Sequence, residues 1–597
     1  MPDRMPLPQL ADYEQTRRSF DWAAERSRLD GLPDGRGLNI AYEAIDRHVV
    51  AGGGAKVAIR WLPRRGDAVD LTYEDLRLRT NRFANVLEHL GFGPGARVAT
   101  LTGRVPDLYV AALGTLKAGA VYTPLFSAFG PEPIRQRIDI GSIDVLITTP
   151  RLFGRKVTPI LDQLPSIGRI LLTGEQGIET APDWEDDRVL SLESLLATVG
   201  DSWTIPATDP ETPALLHFTS GTTGKPKGVI HVHEAVVSHH ASGAYVLDLT
   251  PDDVFWCTAD PGWVTGTSYG IISPLTHGVT SIIDEGDFDA DRWYSVIEQQ
   301  RVDVWYTAPT AIRMMMKVGR DTVQAHDISS LRLVASVGEP LNPEAVRWAQ
   351  DEFKVPILDN WWQTETGSIM IANYRSEPVR PGSMGRPLPG IEAGLLERDA
   401  NGEIVIDGSG HPVEVHDPDR SGELALRSGW PSMFRGYLNQ QQRYADCFVD
   451  GWYRSGDLAR RDADGYFWFV GRDDDVIKSA GHLIGPFEVE SALMEHPAVS
   501  EAAVIGKPHE TMGNTVKAFV TLGAQEVETD DLKADLMAHA RRRLGAAVAP
   551  REIDVVAELP HTRSGKIMRR LLKAKELGLE QGDVSTLETA LPKDGAE

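Results

Sequence analysis

Short apolar, β-branched runs alternate with amphipathic segments along most of the chain. Residues 97–101, 145–148, 169–172, 280–283 and 331–336 have the composition of strands, and 73–90 and 290–300 repeat apolar residues at helical spacing. Strands separated by helices need crossover connections, which predicts an α/β fold with parallel sheets. The texture changes between 400 and 475, where Asn401-Gly402 and Asp464-Gly465 interrupt short strand-like runs and predict hairpins. After Arg472-Asp473-Asp474-Asp475 comes a compact tail, with strands near 502–505 and 518–522 and helices near 486–495 and 530–544. The expected organisation is therefore an N-terminal extension (1–35) and a large domain (36–473) of parallel-sheet subdomains with a β-rich part from about 390 to 473. A small, mobile α+β C-terminal domain (474–597) follows, with a polar tail after about residue 577.

A chain of 597 residues is too long for one hydrophobic core. Its formal charge of −25 argues against nucleic acid and anionic membranes as partners, since both are polyanions. Cys257 and Cys447 are the two cysteines, far apart, so a disulfide framework is not expected. The N-terminus lacks an apolar leader, and the most apolar region, 109–129, is broken by Lys117 and Pro124. A cytoplasmic location is expected.

The most informative stretch is Thr219-Ser220-Gly221-Thr222-Thr223-Gly224-Lys225-Pro226-Lys227-Gly228. Three glycines let backbone N–H groups approach an anion, four hydroxyls add donors and two lysines add charge, a set suited to a triphosphate. It is not a Walker A loop, because Pro226 follows Lys225 where that loop needs Ser or Thr. The string resembles the phosphate loop of the acyl-adenylate-forming superfamily, and further matches follow in the family's order. These are Ser336-Val337-Gly338-Glu339-Pro340, Asp359-Asn360-Trp361-Trp362-Gln363-Thr364-Glu365-Thr366-Gly367, Tyr453-Arg454-Ser455-Gly456-Asp457, Gly471-Arg472 and Leu559-Pro560-His561-Thr562-Arg563-Ser564-Gly565-Lys566.

That resemblance, closest to the acetyl-CoA synthetase branch, implies ATP, Mg²⁺ and coenzyme A as the small molecules handled. It implies catalytic roles for Lys566, Thr223 and Lys227, with Lys566 meeting the charge that develops between a carboxylate and the α-phosphate. ATP or AMP would be held by Thr219, Ser220, Gly221, Thr222, Gly224 and Lys225, then by Gly338, Glu339 and Pro340. The same role falls to Asp359, Asn360, Trp361, Trp362, Gln363 and Thr364. Asp457, supported by Arg472, would accept the ribose hydroxyls, and Glu365 would hold Mg²⁺. Asp474 matches the hinge, and Thr265, Ala480 and Arg541 match coenzyme A contacts. One departure stands out: Leu483 occupies the place of an arginine that contacts nucleotide phosphate in that branch, leaving His482, Lys478 or another cation to replace it.

Residues 256–266 resemble the acyl-pocket segment, so Val264, Thr265, Val337 and Trp362 would line the acyl site. An indole at the floor leaves room for about a methyl group, which makes acetate the first expectation and propionate the second. The remaining readings are an enzyme loading a carrier protein and a sensor that has lost catalysis. Acylation of Lys566 by a lysine acyltransferase, reversed by a deacylase, would neutralise the charge of the first step. His231, His233, His239 and His240 cluster after the glycine-rich loop, but no companion carboxylate or cysteine pattern supports a metal site, and a structural role is expected.

Overall fold

The computed structural model describes residues 7–174, 186–219, 226–399, 401–472, 475–479, 482–509, 513–523, 526–562, 567–580 and 587. Two large sheets dominate. In an eight-stranded sheet, Pro213–Thr219, Val121–Pro124, Arg97–Leu101, Val145–Thr148, Arg169–Leu172 and Val189–Ser191 run in parallel. Lys227–Val232 and Gly436–Tyr437 extend it in antiparallel fashion. A nine-stranded sheet has a parallel centre of Ile357–Trp361, Leu333–Ser336, Val304–Thr307, Val254–Cys257, Thr280–Asp284 and Val57–Leu62, with antiparallel strands at both edges. Helices between strands bury their apolar faces on these sheets. Tyr73–His89 starts at a capping box, in which the Thr72 hydroxyl accepts from the Asp75 N–H and the Asp75 carboxylate accepts from the Thr72 N–H.

The region with hairpin signals forms a five-stranded antiparallel sheet of Ala393–Leu396, Gly422–Arg427, Trp452–Arg461, Phe448–Val449 and Phe467–Arg472. The next sheet begins at Ile477 and is built on the long hairpin of Val499–His509 and Gly513–Leu522. These strands outrun the apolar cores predicted at 502–505 and 518–522. Their ends are polar, and hydrogen bonds with Lys507, Thr515 and Lys517 in the ladder continue the pairing without apolar side chains. Helices Pro486–Met494 and Asp530–Leu544 cover this sheet.

The polar N-terminal segment lies along the large domain. Leu10 and Tyr13 are buried, the Tyr13 hydroxyl donates to Pro387 O (2.8 Å), and the Arg386 guanidinium sits 4.0 Å from the Tyr13 ring centre. Arg26 pairs with Glu234 at 2.6 Å. No helix among the described residues is long and apolar enough to cross a membrane.

Candidate functional site

In sheets of this kind, ligand sites lie beyond the carboxyl ends of the parallel strands, where the chain leaves the sheet and its backbone groups point outward. Here Leu333–Ser336 runs into 337–340, and Ile357–Trp361 runs into 362–365. Both exits open onto a cavity of about 570 Å³. Side chains of the five-stranded sheet form a second wall, and Asp475, Pro486, Phe487 and Arg569 close it from the C-terminal side. Cross-links between the two parts include Asn342 Nδ2 donating to Ser491 Oγ (3.0 Å) and Lys317 lying 3.5 Å from Glu501.

One end of the cavity is a hydrogen-bonded cradle around Asp457. Residues 361 and 363 are two apart on an extended segment and face the same side. Trp361 Nε1 donates to Asp457 Oδ2 (2.9 Å), and Gln363 Nε2 donates to the same oxygen (3.0 Å) and to Ser455 O (2.9 Å). The Tyr453 hydroxyl donates to Gln363 Oε1 (2.8 Å), which fixes the amide's orientation. Arg472 Nε lies 3.8 Å from Asp457 Oδ1. Asp359 lies deeper, and burial pushes its carboxyl up to about 8.

Trp362 points the other way, as strand alternation requires. Its ring meets Tyr269 edge-on at 5.3 Å, and the Tyr269 hydroxyl is tied to Ser242 Oγ and to the Ile369 N–H, each at 2.7 Å. Val264, Thr265, Val337 and Trp362 all line the cavity. Gly262 and Gly266 allow the loop before this wall to pack tightly, since a Cβ at either would come within 2.5 Å of Phe126 or Asp260 backbone.

Glu365 stands near Lys227 and Tyr437. Tyr437 arrives because Gly436–Tyr437 pairs with Val229 and Ile230, directly after the glycine-rich string. Its hydroxyl donates to Glu365 Oε1 (2.8 Å), and Lys227 Nζ lies 5.1 Å from its ring centre. Burial lowers the Lys227 ammonium pKa, with Glu365 opposing the shift. The described residues hold no group of three or more His, Cys, Asp or Glu able to enclose a metal. A single carboxylate beside the expected triphosphate site fits Mg²⁺, which takes one or two protein carboxylates and completes its shell with water and phosphate oxygens.

Every described residue expected to bind ATP or AMP lines this cavity: Thr219, Gly338, Glu339, Pro340, Asp359, Asn360, Trp361, Trp362, Gln363, Thr364, Asp457 and Arg472. Lys227 and Glu365 line it too. Ser220, Gly221, Thr222, Thr223, Gly224, Lys225, Asp474, Ala480 and Lys566 lie outside the described residues, as do the side chains of His482 and Leu483. Arg541 is exposed in the last turn of Asp530–Leu544 and is not part of the cavity wall.

Several lining residues carried no signal of their own in the sequence, among them Tyr437, Cys447, Phe487 and Arg569. Only strand pairing and the packing of the C-terminal part bring them there. Among the described residues, the cations on the wall are Lys227, Arg454, Arg472 and Arg569. Arg569 is held by Glu490 at 2.6 Å. Lys478 is exposed and is not part of the wall.

The histidines that follow the glycine-rich string are buried. His231, His233, His239 and His240 are all less than 7% exposed, and burial pushes His231 and His239 down to about 4. His233 Nδ1 accepts from the Ile40 N–H (3.1 Å), while His240 stacks on His277 with ring centres 4.1 Å apart. Their environment is one of backbone hydrogen bonds and ring packing.

Comparison with known proteins agrees with this geometry. Residues 46–438 match the AMP-binding enzyme family, and 488–566 match the AMP-binding enzyme C-terminal domain. The acetyl-coenzyme A synthetase of Bacillus subtilis is 44% identical over 581 residues, covering 97% of each chain. The crystal structure of a Brucella canis acyl-CoA synthetase is similar with a TM-score of 0.72 and 35% identity, over 95% of this chain and 99% of that one. An anthranilate CoA ligase in complex with anthranoyl-AMP is similar with a TM-score of 0.80 and 28% identity, over 91% and 98% of the respective chains. Two family matches in sequence order and a relative aligned from end to end leave one conclusion: this chain belongs to the AMP-binding enzyme family.

Proposed function

We propose that the protein is an AMP-forming acetate–CoA ligase, converting acetate, ATP and coenzyme A to acetyl-CoA, AMP and pyrophosphate. The observation that carries the choice of acid is the Trp362 wall, an indole braced by Tyr269 across the acyl end of the cavity. Relatives named acetyl-coenzyme A synthetase, 38–44% identical over at least 92% of this chain, support the same choice.

In the first half-reaction an acetate oxygen attacks the α-phosphorus. The bond from that phosphorus to the bridging oxygen breaks, and pyrophosphate leaves with the electron pair. Two anions meet and a third departs, so the site must hold positive charge in place beforehand. Lys227 and Arg472 supply it on the described walls, and Lys566 is assigned the approach of the carboxylate. Asp457 accepts the ribose hydroxyls while Trp361 and Gln363 hold its other oxygen. Glu365 would hold Mg²⁺, whose chemistry there is to offset charge on the phosphate oxygens.

In the second half-reaction the coenzyme A sulfur, having lost its proton, attacks the acyl carbon. The carbon–oxygen bond to AMP breaks and AMP leaves. One acyl site serving two partners calls for rearrangement, and we assign the pivot to Asp474, between the sheet ending at Arg472 and the one starting at Ile477. Thr265, Ala480 and Arg541 are assigned to coenzyme A, and Lys566 is the position at which an acyltransferase and a deacylase would regulate the first step.

The test is coenzyme A-dependent AMP formation across acetate, propionate, butyrate, isobutyrate and hexanoate. A maximum at acetate is expected, with propionate second. Activity centred on the longer acids would overturn the acyl assignment, and pyrophosphate release without thioester formation would point to carrier loading. Lys566→Gln should lose adenylation; full pyrophosphate release in that variant would remove the lysine from the mechanism.

A further inference from the structure

The turn that carries Glu365 is held from below by groups to which the mechanism above gives no role. Its four consecutive carbonyls each have a donor. Thr364 O accepts from the Gly367 N–H (3.1 Å) and lies 2.8 Å from His231 Nε2, whose Nδ1 lies 3.0 Å from Ser432 O; Glu365 O accepts from the Phe434 N–H (3.0 Å). Thr366 O accepts from Trp430 Nε1 (2.9 Å) and Ser432 Oγ (2.7 Å), and Gly367 O from His239 Nε2 (2.8 Å). Outside the turn, the partners come from three places: the strand Lys227–Val232, the helix Ala235–Tyr245 and the loop at 430–434. Gly367 adopts φ +74°, and a Cβ there would fall 2.3 Å from Ser432 O and 2.9 Å from the His231 ring. The His239 tautomer follows from its partner: Nε2 carries the proton because a carbonyl can only accept.

A turn whose carbonyls are all engaged on one side has little freedom to rotate its peptides, so the Glu365 side chain leaves the backbone in one direction. We propose that His231, His239 and Trp430 are positioning residues, fixing the 364–367 turn so that the Glu365 carboxylate faces the metal–triphosphate end of the cavity. The inference rests on the reading of Glu365 as the Mg²⁺ carboxylate. It also gives His231 and His239, two of the four histidines after the glycine-rich loop, a purpose: the strand and helix that follow the loop support the carboxylate opposite it.

The experiment is equilibrium binding of ATP by calorimetry, once with saturating Mg²⁺ and once with a chelator, on the full chain and its variants. Loss of an outer-shell partner weakens a metal site by roughly 10- to 100-fold. The ratio of the two affinities should therefore fall about 10-fold in His231→Leu, His239→Leu and Trp430→Phe, with affinity in chelator nearly unchanged. His231→Asn, which restores a donor, should recover part of the ratio. Trp430→Phe removes one N–H while keeping an aromatic ring, and serves if the histidine variants do not fold. Equal weakening of ATP with and without Mg²⁺ would mean general structural damage and overturn the proposal. Glu365→Gln separates the two levels. If it leaves the ratio intact, the reading of Glu365 fails and the proposal falls with it. If it collapses the ratio while the three positioning variants do not, the proposal alone is wrong.

Discussion

Trp361 and Trp362 are neighbours in sequence and opposites in use. One donates its indole N–H to Asp457, and the other meets Tyr269 edge-on at the end of the cavity proposed for the acyl group. The end proposed for the ribose would discriminate through buried polar groups, each of which loses a partner if the ligand lacks a hydroxyl. The end proposed for the acyl group would discriminate by volume. Missing hydrogen bonds penalise a poor ligand strongly, whereas a methylene more or less in an apolar pocket changes affinity by only about 1–3 kcal/mol unless a wall excludes it. A site that must take one nucleotide and one short acid therefore needs hydrogen bonds at one end and an obstruction at the other.

The largest effect should come from removing the polar anchor. Asp457→Ala is expected to lower kcat/KM for ATP about 100-fold or more, since hydrogen bonds to a charged group contribute about 1.5–3 kcal/mol each. Pyrophosphate release at varied ATP measures it. Next, Trp362→Gly should invert the acid preference, with butyrate and hexanoate gaining about 10- to 100-fold relative to acetate; an unchanged profile would place the wall elsewhere. A smaller effect is expected from Tyr453→Phe, which takes away the hydroxyl orienting Gln363. KM for ATP should rise about 5- to 10-fold, in line with the loss of about 1 kcal/mol, and the penalty for 3′-deoxy-ATP should shrink. A penalty equal to that of the parent protein would mean that Gln363 does not act through Asp457.

The smallest effect within the working range concerns pH. His231 and His239 stay neutral in the fold down to about pH 4, while an unfolded chain protonates them near 6.5. Their contribution is complete above pH 6.5 and falls by about 1.4 kcal/mol per histidine per unit as pH drops toward 4. Asp359 has the opposite sign: raised from 3.8 to about 8, it favours the fold at low pH and loses that contribution as pH rises toward 8. Melting temperature should thus fall steeply below pH 6.5, and His231→Asn should flatten the slope. A slope unchanged by that variant would assign acid sensitivity to other groups.

Much of this was legible in the sequence because it was written locally. Capping residues, apolar periodicity and Asn-Gly or Asp-Gly turns mark elements wherever they occur, and the helices at 290–300 and 530–544 form over the predicted residues. The residues proposed to hold the nucleotide sat in strings whose order could be read directly. Tyr437 could not be found that way, because it reaches Glu365 only by pairing across strands more than 200 residues apart in the chain. The histidines were visible as a cluster, but their use depends on four carbonyls of a turn far along the chain. Spacing within a sequence reveals what lies on one element and is silent on what that element leans against.

Arg386–Pro387 is the outermost strand of the nine-stranded sheet, a place where unpaired backbone groups invite another chain to add itself. Tyr13 occupies the Pro387 carbonyl, Arg386 lies over the Tyr13 ring, and Trp22 Nε1 donates to Gly390 O at 3.3 Å. The same few contacts that dock a polar leader also sheathe the sheet's open margin. Deleting residues 7–26 should therefore show itself first as self-association at high protein concentration.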